Sequence, residues 1–264
     1  MYTVSFDANG GSGSMESVKV EADTEYTLPE CGFTAPMGKV FVKWDLGKAG
    51  DKITVNADTI LIAEWKSKVN VADIFDDIQG DEWFVPYVQF VYDNGVMSGK
   101  GRMFDPNGKI RREEITQIIY SHAGKPELSA NDKNPFTDVK DNQWFCKGIV
   151  WCYKNSIVGG VGNNRFGVGQ NVKRQDLVLM LYKYAQTLGL KSLNNVDENA
   201  YIGYKDTKQV DSYAIPAMNW AITNGLIGGK GTPGAPKSEL RLDPKGNATR
   251  AEGATIIMQF MSEE

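Results

Sequence analysis

The sequence predicts a two-part α+β protein in which a small β-rich N-terminal domain precedes a mostly helical domain built from three repeats. Residues 1–66 alternate polar and apolar side chains as strands do, whereas beyond residue 72 the apolar side chains recur at helical spacing. The helical part also repeats itself, and such a repeat fixes the architecture because each unit buries its apolar face against its neighbours. At 264 residues the chain can form more than one core.

Composition and charge exclude several classes of protein. With 41% hydrophobic and 23% charged residues, the chain has the composition of a folded protein and not of a disordered one. Its net charge of -4 and isoelectric point near 5.3 argue against nucleic acid as a partner, since no basic field is present to displace phosphate counterions. Residues 1–66 carry six Lys/Arg and ten Asp/Glu, so the remainder is neutral overall and can still bind an acidic polymer at individual arginines.

No apolar stretch approaches the ~18 residues that a membrane span needs, so membrane insertion is not expected. The N-terminus reads directly into a strand pattern and lacks the features of a signal peptide. If the protein is exported, we expect that its signal peptide has already been removed.

The three cysteines do not suggest a disulfide scaffold, because an odd number cannot all pair within one chain. Cys146 and Cys152 lie six residues apart in a helical pattern and so point to different faces. We interpret Cys31, Cys146 and Cys152 as small core residues, not as redox groups or metal ligands. The sequence has no zinc-site spacing and no phosphate-binding loop, and neither a metal nor a cofactor is expected.

Residues 1–66 are predicted to form one β domain, and residues 67–71 a polar linker. Turns are expected at Asn9-Gly10-Gly11 and at Met37-Gly38-Lys39. The apolar pairs that predict strands are Tyr2/Val4/Phe6, Val18/Val20, Tyr26/Leu28, Val40/Val42 and Ile60/Ile62.

Three repeats are predicted within residues 72–264, at about 72–128, 133–190 and 201–262. Each opens on an aromatic-x-Asp motif, followed by a second aromatic residue and a helical apolar stripe. The stripes stay in register at displacements of 61 and 69 residues. The opening motifs are Phe75-Asp76-Asp77, Phe136-Thr137-Asp138 and Tyr204-Lys205-Asp206; the aromatic residues are Trp83, Trp144 and Tyr213; and the stripes are Phe84/Val88/Val91, Phe145/Ile149/Cys152 and Ala214/Met218/Ala221.

A glycine-containing turn ends the first helix of each repeat, and an arginine begins the second. Glycine after a last helical turn supplies the left-handed backbone that terminates a helix. The acidic residue near each arginine suits the positive end of the helix dipole. The turns are Asn94–Gly99, Asn155–Gly160 and Asn224–Gly229, and the helix starts are Arg112/Glu114, Arg174/Asp176 and Arg250/Glu252.

At these residues the chain resembles the S-layer homology (SLH) family. The unit of that family runs Phe-x-Asp, Trp, helix, Gly-x-x-x-Gly, loop, Phe-x-Pro and a Thr-Arg-Ala-Glu helix start. Thr249–Glu252 keep the last motif intact, whereas the first two repeats keep only its arginine and its acid. The second repeat also has Ser156 in place of a turn glycine and lacks the proline after Phe166. The third has Tyr204 in place of phenylalanine and Tyr213 in place of tryptophan.

Residues 1–66 separately resemble the Listeria-Bacteroides repeat, a β-grasp-like surface module. The matching segments are Tyr2–Gly11, Gly32–Pro36, the Phe41/Trp44 pair and Ala63–Trp65. Both modules belong on bacterial surfaces, so the two resemblances together imply an extracellular protein at the bacterial cell surface.

The SLH resemblance implies binding of an acidic secondary cell-wall polysaccharide, often pyruvylated, in grooves between repeats that have three-fold pseudo-symmetry. An arginine presents paired N–H donors to a carboxylate and stays charged at physiological pH. Arg112, Arg174 and Arg250 are therefore the candidate contacts of the acidic sugar. The alternative is that each arginine only pairs with a carboxylate of the protein and braces the repeats.

Three further sets of residues are candidate ligand contacts, each with a structural alternative. The glycines would let sugar hydroxyls reach backbone N–H groups, or would only terminate helices. The aspartates would accept hydroxyl bonds, or would only cap helices. The tryptophans would stack on a pyranose, although core packing is favoured for them, as it is for Trp151 and Trp220. The candidates are Gly99, Gly160 and Gly229; Asp77, Asp138 and Asp206; and Trp83 and Trp144.

Two other functions remain open at this point. Catalysis is not favoured, since His122, the only histidine, lies at a predicted helix end where we expect it to face solvent. Carboxylate pairs suited to glycoside hydrolysis depend on three-dimensional separation and are not excluded by sequence. The altered motifs motivate the other alternative, a surface protein-interaction or spacer module whose repeats keep the fold but not the sugar.

Overall fold

A computed structural model describes residues 1–262 and has the predicted mixture of helices and strands. The chain divides into two compact units. The first comprises residues 1–74 together with 92–95, and the second comprises residues 75–91 together with the chain from residue 96 onward.

The first unit contains a four-stranded sheet in the order β2-β1-β6-β4 and a two-stranded sheet of β3 and β5. In the larger sheet β1 and β6 are parallel, and the other two pairs are antiparallel. The turn after β1 has Asn9 and Gly10 in the left-handed region, as predicted from Asn9-Gly10-Gly11. The elements are β1 (Tyr2–Asp7), β2 (Val18–Val20), β3 (Thr24–Thr27), β4 (Lys39–Trp44), β5 (Lys52–Val55), β6 (Thr59–Ser67) and the short helix α1 (Val71–Ile74).

Trp44 is the centre of the core of the first unit. Its side chain is fully buried, and its indole N–H donates to the carbonyl of Pro29 at 2.8 Å, so the polar atom of the ring is satisfied. The rings of Phe6 and Phe41 pack against it, with centroids 5.4 and 5.2 Å away. Every predicted apolar pair lies in or beside a strand, whereas β5 was not predicted.

Six of the helices form three pairs in the second unit, one pair for each repeat. The first helices begin at residues displaced by the 61 and 69 positions that the apolar stripes predict, and every member of those stripes is buried. Each second helix begins at the predicted arginine. The first helices are α2 (Val85–Asp93), α4 (Cys146–Lys154) and α6 (Ile215–Thr223), and the second helices are α3 (Arg112–His122), α5 (Arg174–Leu188) and α7 (Arg250–Met261).

The first helix of each repeat ends where the sequence predicts a left-handed residue. Gly95, Ser156 and Gly225 have φ angles of 65°, 60° and 71°. Ser156 adopts this conformation although it carries a Cβ, which makes it unfavourable by about 1 kcal/mol or more. The turn is therefore imposed by the packing of the repeat and not by the residue itself.

A closed ring of backbone hydrogen bonds joins the segments that lead into the second helices. The amide of Ile110 donates to the carbonyl of Ala248, that of Ala248 to Val172, and that of Val172 to Ile110, at 2.9 to 3.0 Å. All three residues are buried, so these bonds are shielded from water. The first repeat thus bonds directly to the third, and the three repeats close on one another.

Several predictions about single residues can be judged here. Cys146, Cys152 and Trp220 are buried, as expected for core residues, whereas Cys31 is half-buried. The prediction for His122 was wrong. Its ring is half-buried, lies 2.9 Å from the hydroxyl of Tyr184 through Nδ1, and packs against Phe260, because α3, α5 and α7 converge at this end.

We predict that Ser156→Gly stabilises the protein by about 0.5–1 kcal/mol, because glycine adopts a φ of 60° without Cβ strain and loses only part of that gain to unfolded-state entropy. Chemical denaturation measures the effect. Ser156→Ala is the control, since alanine keeps the Cβ and should give no gain. Equal stabilities of the serine and glycine proteins would contradict the strain.

Candidate functional site

The guanidinium of Arg250 lies in the first repeat, not in its own. Its Nε donates to the carbonyl of Phe104 at 2.7 Å and its Nη2 to the carbonyl of Ser98 at 2.7 Å, while Nη1 bonds Glu114 Oε1 at 3.1 Å. The cation also stacks on the Phe104 ring at 4.8 Å. The side chain is 4% exposed, so it braces the junction between the third and first repeats.

The other two arginines repeat this contact around the ring. Arg174 Nε donates to the carbonyl of Leu242 in the third repeat, and its Nη1 lies 3.5 Å from Glu252. Arg112 Nε and Nη2 donate to the carbonyls of Phe166 and Gly159 in the second repeat, at 3.1 and 3.0 Å. Burial lowers the pKa of Arg112, although nearby carboxylates oppose the shift. Each arginine therefore fastens its own repeat to the next one.

The three aspartates hold the loop that precedes the second helix of their own repeat, so the alternative that they only cap helices is wrong. Asp77 accepts from the amides of Phe104 and Asp105, and Asp206 accepts from the corresponding amides of Leu242 and Asp243. Asp138 accepts from three amides, as described below. These carboxylate oxygens are bonded to the loop backbone.

The three glycines lie against the aromatic residue that opens their repeat. A Cβ on Gly99 would come within 2.3 Å of the Phe75 ring, and one on Gly229 within 2.8 Å of the Tyr204 ring. A Cβ on Gly160 would lie 3.0 Å from the Phe136 ring and 2.8 Å from a carbonyl. None of the three has a positive φ, so helix termination by a left-handed backbone is not their role.

A cleft of about 550 Å3 lies beside the glycine turn of the first repeat, and we call it cleft A. All three repeats contribute to it: the turn and α3 from the first, Gln143–Phe145 from the second, and Arg250 from the third. Its charged lining residues are Lys100, Arg111, Glu113, Glu114 and Arg250.

Cleft C lies at the corresponding place beside the turn of the third repeat and is smaller, about 140 Å3. It is lined by Gly228, by Glu252 and its helix α7, by Arg174 from the second repeat and by Trp83 from the first. Burial raises the pKa of Glu252, but hydrogen bonds from Lys230 and Thr249 and the charge of Arg174 outweigh it and lower the pKa overall. This carboxylate is therefore ionised at neutral pH.

Core packing was the wrong prediction for Trp83 and Trp144. They are 61% and 64% exposed, and each stands on its neighbouring phenylalanine at the edge of a cleft. Exposed tryptophans of this kind are uncommon in a core-forming repeat and are typical of binding surfaces. Trp151, by contrast, is half-buried between the rings of Tyr120 and Tyr184.

Lys100 and Lys230 are two further cations of the clefts that were not predicted from sequence. Lys100 Nζ lies 3.6 Å from Glu114 and 3.7 Å from Asp105, and its side chain is 49% exposed at the mouth of cleft A. Lys230 Nζ lies 2.8 Å from both Asp243 and Glu252. The sequence does contain a signal for these lysines, since a lysine follows the turn glycine in two repeats, after Gly99 and Gly229. In the second repeat Val161 follows Gly160.

Comparison with known families is decisive for the helical part. The family model described as S-layer homology domain matches residues 74–116, 135–178 and 203–254, which together are just over half of the chain. The chain belongs to the S-layer homology domain family. The three matched stretches each contain one opening motif, one glycine turn and one helix-start arginine.

Curated relatives are similar over the same part of the chain. An endoglucanase of Bacillus sp. (strain KSM-635) is 28% identical over 71% of this chain and 18% of its own length. The exoglucanase XynX of Acetivibrio thermocellus is 26% identical over 72% of this chain and 16% of its own. The S-layer protein sap of Bacillus anthracis is 23% identical over 69% of this chain and 20% of its own. The chain thus spans about a fifth or less of these relatives, and the match to the enzymes is through the SLH region.

Residues 1–262 offer neither a metal-binding cluster nor a membrane-spanning helix. No cluster of three or more His, Cys, Asp or Glu side chains there is arranged to hold a metal ion. None of the helices in the same range is both long enough and apolar enough to cross a bilayer.

We predict that Asp138→Asn destabilises the protein at pH 7 by about 1–3 kcal/mol, because the carboxylate accepts from the amides of Phe166, Gly167 and Val168. Burial raises the pKa of Asp138, but these donors outweigh it and lower the pKa overall. Its contribution is therefore complete above pH ~4 and is lost as the pH falls through the folded-state pKa. The difference in unfolding free energy between the two proteins should be constant from pH 7 to pH ~5 and should shrink as the pH falls below ~4, and a difference that does not shrink would contradict this role.

We predict that Gly229→Ala lowers stability by about 1–3 kcal/mol, since the new Cβ would meet the Leu240 Cβ at 2.3 Å and the Tyr204 ring at 2.8 Å. Gly228→Ala is the matched control, because nothing lies within 4 Å of its Cβ position. Thermal denaturation compares the two. Equal losses would show that the close contact at residue 229 is not the cause.

Proposed function

We propose that this chain anchors its carrier protein to the bacterial cell wall without a covalent bond, by holding an acidic wall polysaccharide in clefts between SLH repeats. The observation that carries the proposal is cleft A, where an exposed tryptophan from one repeat faces cations from the other two. Pockets that combine an apolar platform with a few converging polar groups are the usual form of a small-ligand site.

The aromatic wall of cleft A supports a sugar ligand. The indole of Trp144 packs edge to face against the Phe145 ring, with centroids 5.1 Å apart, while most of its surface remains in water. A flat, rigid apolar surface suits the C–H face of a pyranose and loses little conformational entropy on binding.

The cations of cleft A support an acidic substituent, such as the carboxylate of a pyruvate ketal. Arg250 already makes three hydrogen bonds inside the protein, whereas Lys100 lies beyond 3.5 Å from both of its carboxylate neighbours. Lys100 can therefore swing to a ligand at little cost. We propose that Lys100 makes the direct contact and that Arg250 contributes positive potential from the cleft floor.

The same proposal gives the other candidate residues their place. Arg174 and Trp83 would act in cleft C as Arg250 and Trp144 do in cleft A. The turns and loops that border the clefts would be shaped by three glycines and three aspartates: Gly99, Gly160 and Gly229, and Asp77, Asp138 and Asp206. Arg112 would hold the corresponding turn of the second repeat in place. Sites on one body reinforce each other, because a polymer held at one cleft faces the next at high effective concentration.

We also propose three-fold pseudo-symmetry for the repeats and a β-grasp-like fold for the first unit. The ring through Ile110, Val172 and Ala248 and the cyclic order of the arginine contacts support the symmetry. The mixed sheet β2-β1-β6-β4, with its parallel central pair, supports the β-grasp likeness and with it the Listeria-Bacteroides resemblance. A cell-surface location is supported by relatives named as S-layer proteins.

A second candidate function is a protein-interaction or spacer module. The observation that favours it is the burial of Arg174 and Arg250, whose contacts would stabilise the repeats whether or not a sugar binds. Pull-down with native wall polysaccharide and with the same polymer stripped of its acidic groups separates the two functions. Anchoring requires capture of the native polymer, whereas a spacer captures neither.

We predict that Trp144→Ala and Lys100→Gln each weaken binding of purified pyruvylated wall polysaccharide by about tenfold, or ~1.4 kcal/mol. Lys208→Gln is the matched control, since Lys208 is exposed and lies outside the lining of cleft A. Surface-plasmon resonance on immobilised polymer measures the affinities. Raising the salt concentration should weaken the wild type more than Lys100→Gln, because screening acts on the ion pair that the variant lacks. Unchanged affinity in both variants would exclude cleft A as the site.

A further inference from the structure

The third position of the ring is constructed differently from clefts A and C. We call it position B, and it lies beside the turn Ile157–Val161 of the second repeat. Its parts correspond to those of the clefts: Asp176 on α5, Tyr213 from the third repeat and Arg112 from the first. The structure allows each part to be compared with its counterpart.

The aromatic residue at position B is tied to the opposite wall. The hydroxyl of Tyr213 donates to Asp176 Oδ1 at 2.7 Å and accepts from Gln175 Nε2 at 2.8 Å. Gln175 is fully buried, and its amide also bonds Asp211, which forms an ion pair with Lys245. The hydroxyl of Tyr213 is thus hydrogen-bonded across position B, and its side chain is 53% exposed, compared with 61% and 64% for Trp83 and Trp144.

The hydrogen-bonding capacity of the side chains explains why this contact across the position forms only at position B. A tryptophan has one N–H donor and no acceptor, so it cannot receive the Gln175 amide while it donates to Asp176. The residues corresponding to Gln175 are Glu113 in the first repeat and Ala251 in the third. Glu113 instead accepts from the amide of Gly169. Neither cleft A nor cleft C has the matching partners.

Position B also lacks the exposed lysine of the other two. Val161, 47% exposed, follows Gly160 where Lys100 and Lys230 follow the corresponding glycines. Arg112 donates two N–H groups to carbonyls, and Arg165 on the same loop lies 3.7 Å from Asp138. Position B therefore lacks the lysine that follows this glycine in the other two repeats, although the exposed Arg165 remains on its loop.

We propose that the acidic sugar binds in clefts A and C only, and that the hydrogen bonds of Tyr213 to Asp176 and Gln175 close position B. This inference rests on the proposed function. It further implies that cleft A binds more tightly than cleft C, because Lys230 is held at 2.8 Å by both Asp243 and Glu252 whereas Lys100 has no contact as short with its carboxylate neighbours.

The test counts sites with a monovalent probe, a methyl hexoside that carries a 4,6-O-pyruvate ketal. Isothermal titration of the whole chain should give two sites, and Trp144→Ala and Trp83→Ala should each leave one. In NMR spectra the indole N–H signals of Trp144 and then Trp83 should shift during titration, while the ring signals of Tyr213 stay in place. The variant Val161→Lys/Asp176→Glu/Tyr213→Trp, which gives position B the residues of the clefts, should gain a third site.

The outcomes of these measurements distinguish failure of the closure of position B from failure of the proposed wall-anchoring function. Three sites in the wild type, or a site lost in Tyr213→Phe, would overturn the closure of position B and leave wall anchoring intact. One site that survives in Trp83→Ala would overturn the assignment of cleft C. No binding of the probe or of the purified polymer would overturn the proposed function and the inference with it. Circular dichroism of each variant verifies that the fold is retained.

Discussion

The second unit depends on one repeated interaction, in which the arginine at the start of each second helix donates to backbone carbonyls of the next repeat. A buried cation is costly unless its donors are satisfied, so separating two repeats would leave both a charge and several carbonyls unpaired. The contact from Arg250 to Phe104 joins residues 146 positions apart and returns the third repeat to the first. The closed ring of backbone hydrogen bonds through Ile110, Val172 and Ala248 also holds the three repeats together. Together they fix the gaps between repeats, and those gaps are the clefts.

This constraint also changes which residues are available to a ligand. The arginines are the most regular feature of the repeats, yet each already donates to one or two backbone carbonyls of the next repeat and so serves assembly. In the proposed function, recognition falls to side chains at the cleft edge, where Trp144 and Lys100 reach water. A residue that is essential for the shape of a cleft need not contact what the cleft holds.

The repeat architecture was predictable from sequence because helical spacing, the turn residues and the helix-start arginines all recur in register. The left-handed turn could be predicted even at Ser156, since the two glycines in register with it mark its conformation. The exposure of Trp83 and Trp144 could not, because it depends on which repeat lies opposite, and spacing along one helix contains no information about that. His122 was misjudged for the same reason: Tyr184 and Phe260, which cover it, lie 62 and more residues away. Strand β5 was missed because polar residues flank its short alternation of Ile53 and Val55.

The distribution of altered motifs takes on meaning once the clefts are known to combine parts of three repeats. Four of the departures are divided between two repeats, with Ser156, Val161 and Asp176 in the second and Tyr213 in the third. In space all four belong to position B, since the aromatic residue of the third repeat faces the helix of the second. Clefts A and C each keep a glycine, a lysine, a glutamate and a tryptophan in register. A substitution in one repeat thus alters a cleft that is bordered by another, and under the proposed function the unit that binds is the cleft and not the repeat.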